Sequence, residues 1–150
     1  MINNSLYRLT NLFGFFLKVD KLKSTIYGLA IGDALGVPVE FAHRNVLKYN
    51  PVVDMLEYGT HNQEKGTWSD DTSLTLALLD ALKYGYDLEM VAICFINWRD
   101  KGSFTAHGKA FDIGFTTHKS IDYLIDALAT NKPLAKYSTD EMENGNGSLM

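Results

Sequence analysis

The sequence predicts an all-α fold, and three observations support this prediction. Apolar residues recur at three- and four-residue steps in four separate segments, which is the spacing of one helical face. Turn-forming residues separate these segments, and no alternation of apolar and polar residues persists beyond a few positions. The length of 150 residues and the hydrophobic fraction of 46% are those of one ordinary globular domain. We therefore expect four helices joined by polar loops.

Composition and charge narrow the class of protein. The formal net charge is −4 and no cluster of Lys and Arg stands out, so no nucleic-acid partner is expected. No segment provides the about 20 predominantly apolar residues of a membrane-spanning helix, so no membrane partner is expected either. The single cysteine, Cys94, excludes an internal disulfide and fits a reducing compartment. We therefore expect a cytoplasmic protein.

The first predicted helix begins near Lys21, with Asp20 as its N-cap, and ends at Pro38. Residues 1–20 form an amphipathic extension in front of it. Asp33 lies on the apolar stripe of this helix, where an aspartate needs a partner, a metal ion or a helix end. Glycines at every fourth position cost roughly 1 kcal/mol each relative to alanine, which indicates a packing or binding reason. These glycines are Gly28, Gly32 and Gly36.

The rest of the chain alternates loops and helices. Residues 42–67 carry only turn signals and are predicted as loop. The second helix begins at Asp70 or Asp71 and stops at Tyr84-Gly85.

Asp87 is predicted to cap the third helix, which ends by Gly102. The polar loop 103–114 leads into the fourth helix, which begins at about Thr116. Asn131-Lys132-Pro133 closes that helix.

Three consecutive oxygen-bearing residues, Ser69, Asp70 and Asp71, stand where the loop meets the second helix. Plain N-capping is one interpretation, because Ser or Asp at the cap with another Asp in the first turn is stabilising. A metal site is the other, because capping needs one side chain and hard cations bind carboxylate and hydroxyl oxygens. Glu40, just past the first helix, is a further candidate oxygen donor.

Two later segments allow similar alternatives. Asp112 precedes Ile113-Gly114 at a helix entry, which is typical of a turn or cap but also suits a site carboxylate. The glycine-rich loop near the end of the sequence is either flexible or able to present backbone N–H groups to phosphate. Its residues are Gly145, Asn146, Gly147 and Ser148. The four histidines lack paired metal-binding spacing, and no catalytic role is assigned to them.

Four segments, in this order, resemble the ADP-ribosylglycohydrolase family of dinitrogen-reductase-activating glycohydrolase and the ADP-ribosylhydrolases. The segments are Ile31-Gly32-Asp33-Ala34-Leu35-Gly36-Val37-Pro38-Val39-Glu40-Phe41, Gly66-Thr67-Trp68-Ser69-Asp70-Asp71-Thr72, Phe111-Asp112-Ile113-Gly114-Phe115-Thr116-Thr117 and Gly145-Asn146-Gly147-Ser148-Leu149-Met150. The resemblance places the N-terminal part of such a domain at residues 21–150 and leaves residues 1–20 outside it. It implies a helical bundle with two Mg²⁺ ions that removes ADP-ribose from a modified side chain.

The resemblance also implies a role for each candidate residue. Ser69, Asp70 and Asp71 become metal ligands, and Glu40 lies at the metal site as a ligand or gate. Asp112 becomes the carboxylate near the scissile bond, so Asp112 and Glu40 are the catalytic candidates. The backbone amides of the loop Gly145, Asn146, Gly147 and Ser148 line the ADP-ribose cleft.

The resemblance stops short of a complete family member. Family members are considerably longer, and the later Asp-x-Asp-Ser/Thr segment that completes their metal site is absent here. Asp33 fits a supporting position better than a direct ligand. The sequence is therefore expected to be a truncated bundle with a missing C-terminal half, inactive in 150 residues. Its expected partner is an ADP-ribosylated protein or ADP-ribosyl small molecule. The alternative is a degenerate, non-catalytic module that binds ADP-ribose or a nucleotide, or an interaction module.

Overall fold

The computed structural model describes the backbone of residues 4–135 and the side chains of residues 20–135. Within this part of the chain the regular structure is helical and contains no strand, which confirms the all-α prediction. The α-helices of this part are α1 (Asn4–Gly36), α2 (Arg44–Tyr49), α3 (Asp70–Ala81), α4 (Leu88–Lys101) and α5 (Phe115–Thr130). Single 3₁₀ turns at Val37–Val39 and Leu82–Tyr84 follow α1 and α3. None of the helices described here has the length and hydropathy needed to cross a bilayer.

Helix α1 starts earlier than predicted. It runs without a break from Asn4 through Asp20 to Gly36, so Asp20 is an interior residue and the predicted start near Lys21 is wrong. Aspartate inside a helix costs only about 0.7 kcal/mol relative to alanine, so a potential cap does not force a boundary. No proline precedes Pro38, which lies in the 3₁₀ turn where the α-helix has ended, as predicted.

Helix α2 interrupts the segment predicted as loop. His43 is its N-cap, and the imidazole Nδ1 accepts a hydrogen bond from the Asn45 amide at 3.3 Å. Six residues are too few to show a helical period, so the apolar pattern carries no signal for this turn.

The predicted boundaries of α4 and α5 rest on local cap chemistry, and they agree with the structure. The Asp87 carboxylate accepts a hydrogen bond from the Glu89 amide at 2.9 Å. Gly102 ends α4 with φ of 68°, and a Cβ at this position would lie 2.0 Å from the Gly108 carbonyl oxygen. Asn131 ends α5 in the left-handed conformation.

The core forms where α3 packs against α4. Ala77 and Ala81 of α3 meet Cys94 of α4, and larger side chains pack around these small ones. These larger residues are Val91, Phe95 and Phe104. Helix α5 also packs against α4, and α1 packs against α3. The start of α3 is therefore held against α1, and this junction positions the candidate site.

Candidate active site

Asp33 ties α1 to the first turn of α3. One of its carboxylate oxygens accepts the Ser69 hydroxyl at 2.7 Å, and the Ser69 amide lies 3.0 Å from both oxygens. The other oxygen accepts the Thr72 amide at 3.0 Å and the Thr72 hydroxyl at 2.6 Å. Because a carboxylate has about four acceptor positions, these donors leave Asp33 little capacity for a metal ion. The carboxylate of Asp33 is therefore paired with the N-terminal end of α3.

This arrangement bears on the two interpretations of the Ser69-Asp70-Asp71 segment. Ser69 is the N-cap residue of α3, but its side chain makes no capping hydrogen bond. Asp33 supplies that acceptor from another helix. The acceptor for the Ser69 and Thr72 amides at the start of α3 is therefore Asp33 rather than Asp70 or Asp71.

The structure brings the predicted metal and catalytic residues of the described chain to one cavity of about 790 Å³. Helix α3 contributes Asp70 and Asp71 and its cap contributes Ser69, while Glu40 and Asp112 come from loops. No Lys or Arg is among the described residues that line this cavity. The volume lies within the range of small-molecule sites. Among the described residues, the cavity thus collects carboxylates without a Lys or Arg to neutralise them.

Burial and mutual repulsion raise the pKa values of two of these acids, Asp70 and Asp71. Burial raises the pKa of Asp70 to about 6, and the charges of Asp71 and Asp112 add to the effect. Burial also raises the pKa of Asp71, with further contributions from Asp33 and Asp112. A bound cation stabilises the charged forms of neighbouring carboxyl groups. A cluster of carboxyls with raised pKa values is therefore a favourable place for a cation to bind.

His61 is a residue of this site that sequence reasoning missed. Its Nε2 lies 2.7 Å from Glu40 Oε2 and 3.4 Å from Asp112 Oδ2. Burial raises the pKa of Glu40, the hydrogen bond from His61 opposes this shift, and Asp112 adds to it. The three residues come from separate loops, so no spacing rule could have found them. The only signal in the sequence is that His61 lies between two segments of the resemblance.

Backbone conformation is unusual beside two of these acids. Phe41, which follows Glu40, has φ of 61°, and Asp112 itself has φ of 51°. Positive φ is uncommon for residues other than glycine and costs of the order of 1–3 kcal/mol where it is strained. Such conformations persist where surrounding contacts impose them, and here both flank the cavity.

Two of the three glycines that are spaced four residues apart in α1, Gly32 and Gly36, line the same cavity. A Cβ added at either position would meet nothing within 4 Å. Within the described chain their small size therefore keeps space open beside the acids. The predicted phosphate-binding residues Gly145, Asn146, Gly147 and Ser148 lie outside the described residues.

Fold and site together define a helical protein with a carboxylate-lined cavity suited to a cation and a small-molecule substrate. The chain belongs to the ADP-ribosylglycohydrolase family, whose model matches residues 17–150. The family resemblance of the sequence motifs is thereby confirmed.

Three curated relatives have informative names. ADP-ribosylarginine hydrolase Tri1 of Serratia proteamaculans is 36% identical over 106 residues, which are 69% of this chain and 28% of the relative. Tri1 of Pseudomonas putida is 35% identical over 135 residues, which are 88% of this chain and 34% of the relative. ADP-ribosyl-[dinitrogen reductase] glycohydrolase of Rhodospirillum rubrum is 29% identical over 142 residues, 87% of this chain and 42% of the relative. The chain therefore spans about a third of the length of the first two relatives.

Proposed function

We propose that this chain supplies the acidic part of the active site of a hydrolase that removes ADP-ribose from a modified protein side chain or a related ADP-ribosyl compound. The observation that carries the proposal is the convergence of Glu40, Asp70, Asp71 and Asp112 on one cavity. The relatives named for ADP-ribosylarginine and ADP-ribosyl-[dinitrogen reductase] support this substrate class. The single thiol, Cys94, is buried and unpaired, which supports a cytoplasmic location.

We further propose that the site uses Mg²⁺, with two ions as the family resemblance implies. The donors fit this metal, because Asp70, Asp71 and the Ser69 hydroxyl all offer hard oxygen atoms. The Ser69 hydroxyl donates its proton to Asp33, so its oxygen retains lone pairs for a cation. Glu40 is a further ligand or gate beside them. Bound Mg²⁺ supplies a fixed orientation for ribose hydroxyls and lowers the pKa of a bound water.

The carboxylates of the chain have a second task in this reaction. Breaking the bond between ribose and its leaving group creates positive charge on the sugar, which nearby carboxylates stabilise. Asp112 is the candidate for the position nearest that bond, where it accepts a proton from the attacking water. Gly32 and Gly36 leave space for the sugar above the acidic wall.

The test measures release of ADP-ribose from ADP-ribosyl-arginine and ADP-ribosyl-serine peptides. One sample is the 150-residue chain, and the other is a chimera that continues into the remaining length of the P. putida relative. We expect Mg²⁺-dependent turnover by the chimera that EDTA abolishes, and none by the chain alone. The variants Asp70→Asn and Asp71→Asn should lose this turnover. Asp80→Asn is the matched control, because Asp80 lies on α3 but does not line the cavity.

Calorimetric titration with ADP-ribose separates the proposal from the non-catalytic alternative. Binding without hydrolysis by a folded chimera would favour a degenerate ADP-ribose-binding module. A folded chimera that neither binds nor hydrolyses would contradict both functions.

A further inference from the structure

His61 connects two carboxylates that come from different loops. Its Nε2 approaches both Glu40 and Asp112, and only 13% of its side chain is exposed. We propose that His61 is a positioning residue, whose imidazole donates to Glu40 and holds it beside Asp112 on the cavity wall. The inference rests on the proposed function, because it assumes that these two acids serve the hydrolase site.

The loop that carries His61 is fastened to the segment that carries Glu40. The Thr60 amide donates to the Pro38 carbonyl at 3.0 Å, and the Thr60 hydroxyl donates to the Glu40 carbonyl at 2.6 Å. Gly59 permits this approach, because a Cβ there would lie 1.9 Å from the Pro38 carbonyl oxygen. The backbone segments that carry Glu40 and His61 are therefore joined by contacts other than those of the two side chains.

Two phenylalanine rings lie beside the imidazole ring. The ring centroid of His61 lies 6.1 Å from that of Phe41 and 5.6 Å from that of Phe111. Each phenylalanine adjoins one of the acids in sequence, since Phe41 follows Glu40 and Phe111 precedes Asp112. Phe111 thus adjoins the imidazole on the Asp112 side, and the more exposed Phe41 adjoins it on the Glu40 side.

The chemistry of the group explains why a donor is needed between the acids. Two neighbouring carboxylates repel each other when both are ionised, and a hydrogen bond to one of them favours its charged form. Without the donor, we expect Glu40 and Asp112 to move apart. Residues that orient metal ligands typically change metal affinity roughly 10- to 100-fold when they are mutated.

Substitutions of His61 can separate positioning from other roles. Glutamine in His61→Gln carries an amide N–H at a reach similar to that of Nε2, whereas His61→Leu fills space without a donor. The first measurement is the affinity of the 150-residue chain for Mn²⁺, which prefers the same oxygen ligands as Mg²⁺. We expect His61→Leu to weaken Mn²⁺ binding roughly 10- to 100-fold, and His61→Gln to stay near wild type. His118→Gln is the control, because His118 lies on α5 and its ring faces Asp122, whereas the ring of His61 faces Glu40 and Asp112.

The second measurement is the separation of the two carboxylates in crystal structures of the same variants. It should widen in His61→Leu and stay close to wild type in His61→Gln. Unchanged affinity and separation in His61→Leu would overturn the proposal. Equal loss in both variants would also overturn it, because the imidazole would then be a metal ligand or a proton carrier. If His61→Leu does not fold, His61→Asn, whose amide is one carbon shorter, takes its place with the same expectation.

These two measurements stand apart from the proposed function, because neither needs substrate. A chimera that shows no turnover would refute the hydrolase while leaving the carboxylate separation as a valid test. A wild-type chain that does not bind Mn²⁺ would count against the metal site, and the crystal structures would still decide the role of His61.

Discussion

Replacement of Asp33 by alanine should destabilise the chain strongly, because the Asp33 carboxylate accepts the hydrogen bonds of backbone amides at the start of α3. The substitution removes the acceptor of the Ser69 and Thr72 amides. Ser69 is 8% exposed and Thr72 is 1% exposed, so water cannot readily replace the lost acceptor. A buried donor without a partner costs about 1–3 kcal/mol, so two give about 2–6 kcal/mol in the free energy of unfolding. Such a loss is large beside a typical stability of about 5–15 kcal/mol.

Urea unfolding followed by circular dichroism measures this loss as a shift in midpoint at constant slope. Asp33→Asn should fall between wild type and Asp33→Ala, because its amide keeps one acceptor oxygen but turns a donor toward the helix end. Asp54→Ala is the control and should unfold near the wild-type midpoint, because Asp54 is exposed and, among the described residues, its hydrogen bonds are to Met55 and Lys65. A loss below about 1 kcal/mol in Asp33→Ala would be less than one orphaned buried donor costs. That result would refute the assignment of Asp33 as the cap of α3.

Three further predictions concern charge, metal and backbone. Burial raises the pKa of Asp70 from the ordinary value of 3.8 to about 6. Between these two pH values, the metal-free folded chain therefore binds more protons than the unfolded chain. Stability should therefore fall as pH rises from about 4 to about 6. Asp70→Asn should reduce this slope in urea unfolding, and an unchanged slope would contradict the buried position of the Asp70 carboxyl. Mg²⁺ at about 100 times its Kd should stabilise the folded chain by about 2.7 kcal/mol, which is measured as a rise in Tm. Asp71→Asn should abolish this rise. An equal rise in Tm in that variant would show that the metal binds elsewhere. Gly102→Ala should cost more than the about 1–2 kcal/mol of its positive φ, because the added Cβ would also lie 2.0 Å from the Gly108 carbonyl oxygen. Gly28→Ala, in open helical space, should instead gain about 1 kcal/mol. The opposite order in urea unfolding would contradict the backbone assignment.

The fold was predictable where the signal is local. Asp87, Gly102 and Asn131 set helix ends through hydrogen bonds and backbone angles within a few residues of themselves, and their positions were predicted correctly. Asp20 has the same local chemistry as a cap, but the helix passes through it because the preceding segment is equally able to be helical. Local capping chemistry shows where a helix can begin, and the neighbouring sequence determines whether it does.

The candidate site was predictable only in part. Asp70 and Asp71 stand out as adjacent acids at a helix entry, and the family resemblance connects them with Glu40 and Asp112. The geometric role of His61 arises from three loops meeting in space, so neither periodicity nor spacing could indicate it. The alternatives for Asp33 also stayed open, because its donors lie 36 and 39 positions away in the sequence.

The link from Asp33 to the start of α3 makes the assembly of the site depend on the docking of α1 against α3. A contact across this many positions closes a long loop, so its entropy cost is met only when α1 docks against α3. Until then the first turn of α3 has free amides, and the acids on it have no fixed orientation. The amide protons of Ser69 and Thr72 should therefore exchange with solvent only when α1 separates from α3. The rate of hydrogen exchange at these two amides would therefore report whether the site is intact in a protein that carries no ligand.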